Sequence, residues 1–295
     1  MSGHVGLIGA GAMGGAIGAR LVRTGTPLRV FDLHAEKVAE LTALGASAAS
    51  SAADAAMGAR AVILSLNAPH IVRAAVFGAN GVAEGAAPGL LLIDMSSIDP
   101  AVTAELAAEA ATRGLRWVDS PLSGGAPKAE IGQLTLMQGG AEADVAEAQQ
   151  VLAQVAANQT HMGPVGTGQT TKIINQVLCG LGFMAVAEAT ALAEAAGVNV
   201  SRIPAALKGG RADSALLQEY MPRFATRDYR RTGRIDNMVK DLDAARDLAR
   251  QTQVTMPLTA LAAEIHRLLT SAGFGGEDQA ALMEYFNGPS KANLT

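Results

Sequence analysis

Lys172 is the residue of this chain best suited by type and setting to move a proton. It stands in Gly166-Thr167-Gly168-Gln169-Thr170-Thr171-Lys172-Ile173-Ile174-Asn175-Gln176, at the head of a long apolar run. Positions i and i+3 share a helix face, so Asn175 lies on the face of Lys172. The spacing places Lys172 in the first turn of that helix, where the dipole disfavours a cation. Such an ammonium is badly placed for stability, and an active-site role accounts for it. The dipole and desolvation would both lower its pKa. A solvated lysine beside a polar helix start is the plain alternative.

Two further segments carry polar groups in suggestive order. Asp119-Ser120-Pro121-Leu122-Ser123-Gly124-Gly125 reads as a strand running into a Ser-Gly-Gly turn. Its hydroxyl and successive N–H groups suit an anion such as a carboxylate, although Ser-Gly is also ordinary turn chemistry. Gly233-Arg234-Ile235-Asp236-Asn237-Met238-Val239-Lys240-Asp241-Leu242 places a second ammonium, Lys240, on a helix of mixed charge. Residues 202–250 hold 11 Lys/Arg against 7 Asp/Glu, an excess that favours an anionic substrate or a solvated helix face. The sequence does not separate Arg211, Arg223, Arg227, Arg230, Arg231 and Arg234.

The N-terminal segment suits a nucleotide. The apolar run Val5 to Ile8 reads as a buried strand, and Gly9, Gly11 and Gly14 follow as G-x-G-x-x-G ahead of a helix. Gly9 permits the tight turn, Gly11 lets backbone approach a pyrophosphate, and Gly14 lets helix pack on strand. The open N–H groups of that helix would face the diphosphate. Leu28 to Phe31 reads as a second strand ended by Asp32, 18 residues beyond Gly14. An acid there accepts the adenosine ribose hydroxyls and repels a 2′-phosphate, so Asp32 predicts NAD in preference to NADP.

These residues need a scaffold, and the chain has the means to build one. It has 295 residues, 49% of them hydrophobic, and a net charge of −4 that gives no support for nucleic-acid binding. Its single cysteine, Cys179, excludes an intrachain disulfide and suits a reducing cytoplasm. The first apolar run has no basic segment before it and reads as a strand, not a signal peptide. The five histidines show no metal-ligand spacing, so no metal is expected. Residues 173–197 are apolar enough to span a bilayer, but Glu188 and Glu194 interrupt them. A helix buried inside the protein or at a subunit interface fits better than a membrane span.

The first half alternates elements. Strands are expected at 5–8, 28–31, 61–66, 90–94, 117–119 and 134–137, with helices at 13–23, 36–44, 71–76, 101–113 and 142–156. The pattern implies a doubly wound, mainly parallel sheet. Beyond Gly163-Pro164-Val165-Gly166 only helices are expected, at 173–196, 202–207, 216–225, 237–252 and 257–272. The reading is an α/β dinucleotide-binding domain over 1–164 and an all-α domain over 165–295. Substrate clefts commonly form where such domains meet.

Taken in order, G-A-G-A-M-G, D-S-P-L-S-G-G, G-x-G-x-x-x-K-x-x-N-Q and K-D-L resemble the β-hydroxyacid dehydrogenase family. That family includes 3-hydroxyisobutyrate dehydrogenases, tartronate semialdehyde reductases and relatives of 6-phosphogluconate dehydrogenase. The likeness covers essentially the whole chain. Pro127-Lys128-Ala129 and the G-R-I-D before the last motif look most like the tartronate semialdehyde branch. The resemblance implies hydride transfer between NAD(H) and a small 3-hydroxy acid or its semialdehyde. It makes Lys172 the general acid/base, with Asn175 and Ser123 as its catalytic partners. Ser123, Gly124 and Gly125 would hold the substrate carboxylate, and Asn175 would orient the reacting oxygen. Gln176, Lys240 and Arg234 would complete the substrate set. Gly9, Gly11, Ala12, Met13, Gly14, Asp32, Leu66, Asn67, Ser97 and Lys240 would line the cofactor. Asn67 and Ser120 depart from the residues more usual there, and neither change removes a needed group. The apolar helix suggests a homodimer or homotetramer. Imine reduction on the same scaffold, or a non-catalytic dinucleotide-binding role, is the alternative. Both generally go with loss of the lysine that Lys172 supplies.

Overall fold

The computed structural model describes residues 3–286. They divide into two compact units, the first ending at Lys172 and the second beginning at Ile173.

The first unit is built on one sheet. Its strands are β1 (His4–Ile8), β2 (Leu28–Phe31), β3 (Ser47–Ala48), β4 (Ala59–Leu64), β5 (Leu91–Asp94), β6 (Arg116–Asp119), β7 (Leu122–Ser123), β8 (Leu134–Gly139) and β9 (Ala156–Gly163). Its helices are α1 (Ala12–Arg23), α2 (Ala35–Thr42), α3 (Ala52–Ala56), α4 (Pro69–Phe77), α5 (Val82–Gly85), α6 (Pro100–Thr112), α7 (Gly125–Glu130) and α8 (Glu142–Leu152). The spatial order is β3-β2-β1-β4-β5-β6-β8-β7, with β9 on β8. The first six strands run parallel, in the order of a doubly wound dinucleotide-binding sheet. Strand β8 runs antiparallel to β6 and β7.

Alternate residues of the strands serve opposite faces. Leu7, Ile63, Ile93 and Val118 pack into one core with Ile17 and Leu21 of α1. Ile8, Val62, Leu64 and Leu92 pack into the other with Val72, Val76 and Leu106. Because both faces are covered, β4 and β5 read as nearly continuous apolar runs.

The sequence missed one long element here. Residues 153–156 were expected to continue a helix, and no strand was expected over 156–163. Helix α8 ends at Leu152, and Ala156–Gly163 forms β9. This strand pairs only with β8 and is mostly exposed, so polar residues such as Asn158, Gln159 and His161 carry no apolar alternation. Strands β3 and β7 have two residues each, too short for any periodicity.

Helix α9 (Thr167–Ala195) begins in the first unit and continues into the second. The second unit adds α10 (Ile203–Leu207), α11 (Ala215–Thr226), α12 (Ile235–Thr252), α13 (Pro257–Leu269) and α14 (Met283–Phe286). Its core includes Phe183, Tyr220, Phe224, Leu242 and Ala263, with the Phe183 and Tyr220 rings edge-on at 4.6 Å.

Candidate active site

Most of the expected site residues follow the carboxyl ends of strands, where open α/β sheets hold ligands. The loop 9–11 leads from β1 into α1. Gly9 has φ +92°, and a Cβ there would lie 2.4 Å from the Ser65 carbonyl oxygen. A Cβ on Gly14 would lie 2.0 Å from the Gly9 carbonyl oxygen. Gly11 is different: no atom lies within 4 Å of where its Cβ would be. Helix α1 starts at Ala12 with no side-chain cap and no acid in its first turn. An open cradle beneath bare N–H groups and the positive end of a helix fits a diphosphate.

Asp32 follows β2 and turns back toward this loop. Its carboxylate accepts the Ala10 N–H at 2.7 Å and the His34 N–H at 2.9 Å. Partial burial alone would raise its pKa, but these backbone bonds, the His34 side chain and the Lys37 charge together hold the carboxyl below the usual range. Asp32 is therefore a fixed anion beside the loop. Leu66 and Asn67 follow β4, and Ser97 follows β5. The Leu66 N–H donates to Ser96 Oγ at 3.0 Å, which joins these two loops. Asn67 and Ser97 are exposed, and Met13 is half-buried.

Ser123 closes β7, opposite Thr135 of β8. Gly124 and Gly125 follow with φ +121° and +70°, and no side chain caps α7. Lys172 is half-buried. Helix α9 starts at Thr167, earlier than expected, so Lys172 lies in the second turn and not the first. The dipole's influence falls off within the first turn.

The remaining residues belong to the second unit. Asn175 Nδ2 donates to Gln176 Oε1 at 2.8 Å, and Gln176 Nε2 donates to Asp241. Lys240 Nζ lies 3.4 Å from the same Asp241 carboxylate, and its side chain is 60% exposed. The K-D-L motif thus gathers Gln176 and Lys240 on one carboxylate. Arg234 is not part of that group. It forms a fork-like pair with Asp236.

Three buried residues were not singled out as functional from the sequence. Asp94, Asp119 and Gln169 lie at strand ends or at the start of α9. An acid ending an apolar strand, as in Leu92-Ile93-Asp94 and Trp117-Val118-Asp119, was the available signal. Asp94 lies beside Asp119 in the register of β5 and β6. Burial, reinforced by the Asp119 charge, pushes Asp94 up to about 7. Burial likewise raises Asp119, against the N–H groups that bind it.

The chain matches two known protein families. Residues 4–163 match the NAD binding domain of 6-phosphogluconate dehydrogenase. Residues 166–286 match the family described as NAD-binding of NADP-dependent 3-hydroxyisobutyrate dehydrogenase. The chain is 34% identical to an L-threonate dehydrogenase of Cupriavidus necator, covering 99% of this chain and 100% of that protein. It is 33% identical to an NAD-dependent L-serine dehydrogenase of Pseudomonas aeruginosa, covering 96% and 98%. A solved 3-hydroxyisobutyrate dehydrogenase of Salmonella typhimurium superposes with a TM-score of 0.86 at 33% identity, covering 96% and 100%.

Proposed function

The chain belongs to the β-hydroxyacid dehydrogenase family, and from that premise we propose a working site for it. The protein is an oxidoreductase that uses a nicotinamide dinucleotide and a small hydroxy acid. The proposal concerns which residues act and on what.

Lys172 is the acid/base. As carbonyl reduction builds negative charge on the substrate oxygen, the ammonium stabilises it and gives up a proton. In the oxidising direction the neutral amine takes the hydroxyl proton. A nicotinamide dinucleotide held by the 9–14 loop would supply or receive the hydride. Asn175 orients the reacting oxygen. Ser123 Oγ and the N–H groups of Gly124 and Gly125 hold the substrate carboxylate, and Lys240 adds positive charge for it. Gln176 and Arg234 complete the substrate set by resemblance. Gln176 does so while bonded to Asp241, and Arg234 would first have to leave Asp236.

One observation carries this reading. The helix bearing Lys172 starts against the loop after β5 that carries the cofactor candidate Ser97, through the Gln169 side chain on the Ser96 carbonyl oxygen at 2.7 Å. Asp32 makes NAD the preferred cofactor over NADP. The substrate is a 3-hydroxy acid of the size of threonate, glycerate, serine or 3-hydroxyisobutyrate, in the cytoplasm. Ile174, Leu178 and Leu192 of α9 are 53%, 67% and 70% exposed, which supports a homodimer or homotetramer. A monomer by light scattering would remove the oligomer from the proposal.

The test is NAD-linked oxidation of D-glycerate, 3-hydroxyisobutyrate, L-threonate and serine, read as NADH appearance. Strong turnover of one compound supports the reading and names the substrate. No turnover of any of them, despite NAD binding, counts against this substrate class.

A further inference from the structure

Asp119 is the last residue of β6 and is wholly buried. Its Oδ1 accepts the Gly166 N–H at 2.8 Å, and its Oδ2 accepts the Gln169 N–H at 2.9 Å. Both oxygens are thus engaged by the chain as it enters α9, just ahead of Lys172. Gln169 extends the connection. Its Nε2 donates to the Ser96 carbonyl oxygen at 2.7 Å, and its Oε1 accepts the Ile98 N–H at 3.3 Å. Ser96 Oγ in turn accepts the Leu66 N–H. A continuous set of bonds therefore runs from the loop after β4, through the loop after β5, to the end of β6 and the start of α9.

This junction has no slack. A Cβ on Gly168 would lie 2.5 Å from the Met137 carbonyl oxygen and 2.7 Å from Asp119 Oδ2. A Cβ on Gly139 would lie 2.6 Å from Asp119 Oδ1. Gly166 turns into the helix at φ +91°. The helix start cannot slide toward or away from the sheet without breaking a buried bond or creating a clash.

We propose that Asp119 and Gln169 are positioning residues that set the place of Lys172 relative to the 66–67 and 96–97 loops. The proposal rests on the reading of Lys172 as the acid/base. Displacement of a reacting group by about 1 Å costs on the order of 100-fold in rate, so a rigid seat for α9 matters to the chemistry. Asparagine at 119 has nearly the same size but only one acceptor oxygen, so its amide group would oppose one of the two backbone N–H groups. Methionine at 169 fills similar space and removes both side-chain bonds.

The experiment uses the full chain carrying Asp119→Asn, Gln169→Met or Lys172→Ala. The readings are amide hydrogen exchange over 166–170 without cofactor, NADH affinity and site number by fluorescence, kcat on the best hydroxy acid, and the primary isotope effect with that acid deuterated at its carbinol carbon. In Asp119→Asn and Gln169→Met we expect faster exchange over 166–170, and kcat lowered about 10- to 100-fold. We expect NADH affinity to stay within about twofold of the parent, with an undiminished isotope effect. Two outcomes overturn the proposal: kcat within about twofold of the parent, or a fall in kcat matched by lost NADH sites. Should Asp119→Asn fail to fold, Gln169→Met decides on the same criteria. Normal kcat in these two variants beside an inactive Lys172→Ala removes the positioning proposal alone. Normal turnover in Lys172→Ala removes the acid/base reading and the proposal with it.

Discussion

Two lysine-bearing helices start from buried carboxylates, and the two starts are built differently. Ahead of α9, Asp119 accepts the N–H groups of the helix entry directly, from the end of a sheet strand. Ahead of α12, Asp278 holds the preceding segment through the Thr232 N–H, the Thr232 hydroxyl and the Gly233 N–H, at 2.6, 2.9 and 3.0 Å. Asp278 also takes the Arg223 guanidinium at 3.2 Å. It caps a short 3-10 segment and forms an isolated bridge with Arg234, outside the named strands. The lysines differ in the same sense: Lys172 is half-buried, whereas Lys240 is mostly exposed. A group that transfers a proton must be held in one place. A charge that attracts a carboxylate can act from a long flexible stem. In the proposed site Lys172 has the first task and a seat tied to the sheet, and Lys240 has the second and a seat neutralised by arginine.

The largest expected effect tests that division. Lys172→Ala should lower kcat by about 1,000-fold while NADH still binds, in the range general acid–base catalysis supplies. Lys240→Ala should mainly raise the KM for the hydroxy acid, by about tenfold, with a smaller change in kcat. Steady-state kinetics of the pair decides it, and equal losses of kcat would break the comparison.

Stability gives the next contrast. Asp278→Ala leaves Arg223, only 12% exposed, with only the more distant Asp228 carboxylate at 3.7 Å among the described residues, and strips the 232–233 segment of its acceptor. We expect a loss of about 3–5 kcal/mol in urea unfolding. A loss below about 1 kcal/mol would place the anchoring of α12 elsewhere.

On the cofactor side, Asp32→Ser should cut the proposed preference for NAD over NADP about tenfold, because it removes the fixed anion that would face a 2′-phosphate. An unchanged ratio of kcat/KM for the two cofactors would deny Asp32 that role.

The smallest effect is a pH slope. Asp94 is raised in the folded protein, chiefly by burial, to about 7. The native state therefore holds this proton more tightly than the unfolded chain. The resulting stability is complete below about pH 4 and is lost as pH rises through about 7. Asp94→Asn should flatten the fall in Tm between pH 5 and 8 by a few degrees. A slope identical to the parent's would assign that fall to other groups.

The sequence by itself determined the doubly wound first half, the helical second half and the order of the chemical motifs. Each of these is a local matter. Strands buried on both faces are continuous apolar runs, helices have amphipathic periods, and glycine spacing marks a phosphate turn. Gly9, Asp32, Ser123 and Lys172 could be named because their residue types are informative beside their immediate neighbours. Strand β9 was missed because an exposed edge with one partner needs no apolar alternation. The early start of α9 was missed because Gly166, Thr167 and Gly168 read as loop. The carboxylate of Asp119, nearly fifty residues earlier in the chain, accepts the Gly166 and Gln169 N–H groups, and no local pattern shows that partner. The roles of Gln169, Asp241 and Asp278 were equally hidden. Each is a polar side chain whose partner is distant in sequence, and one local pattern serves a solvated residue as well as a buried one. Tertiary structure alone decided which, because a polar group can be buried only where its hydrogen bonds are met.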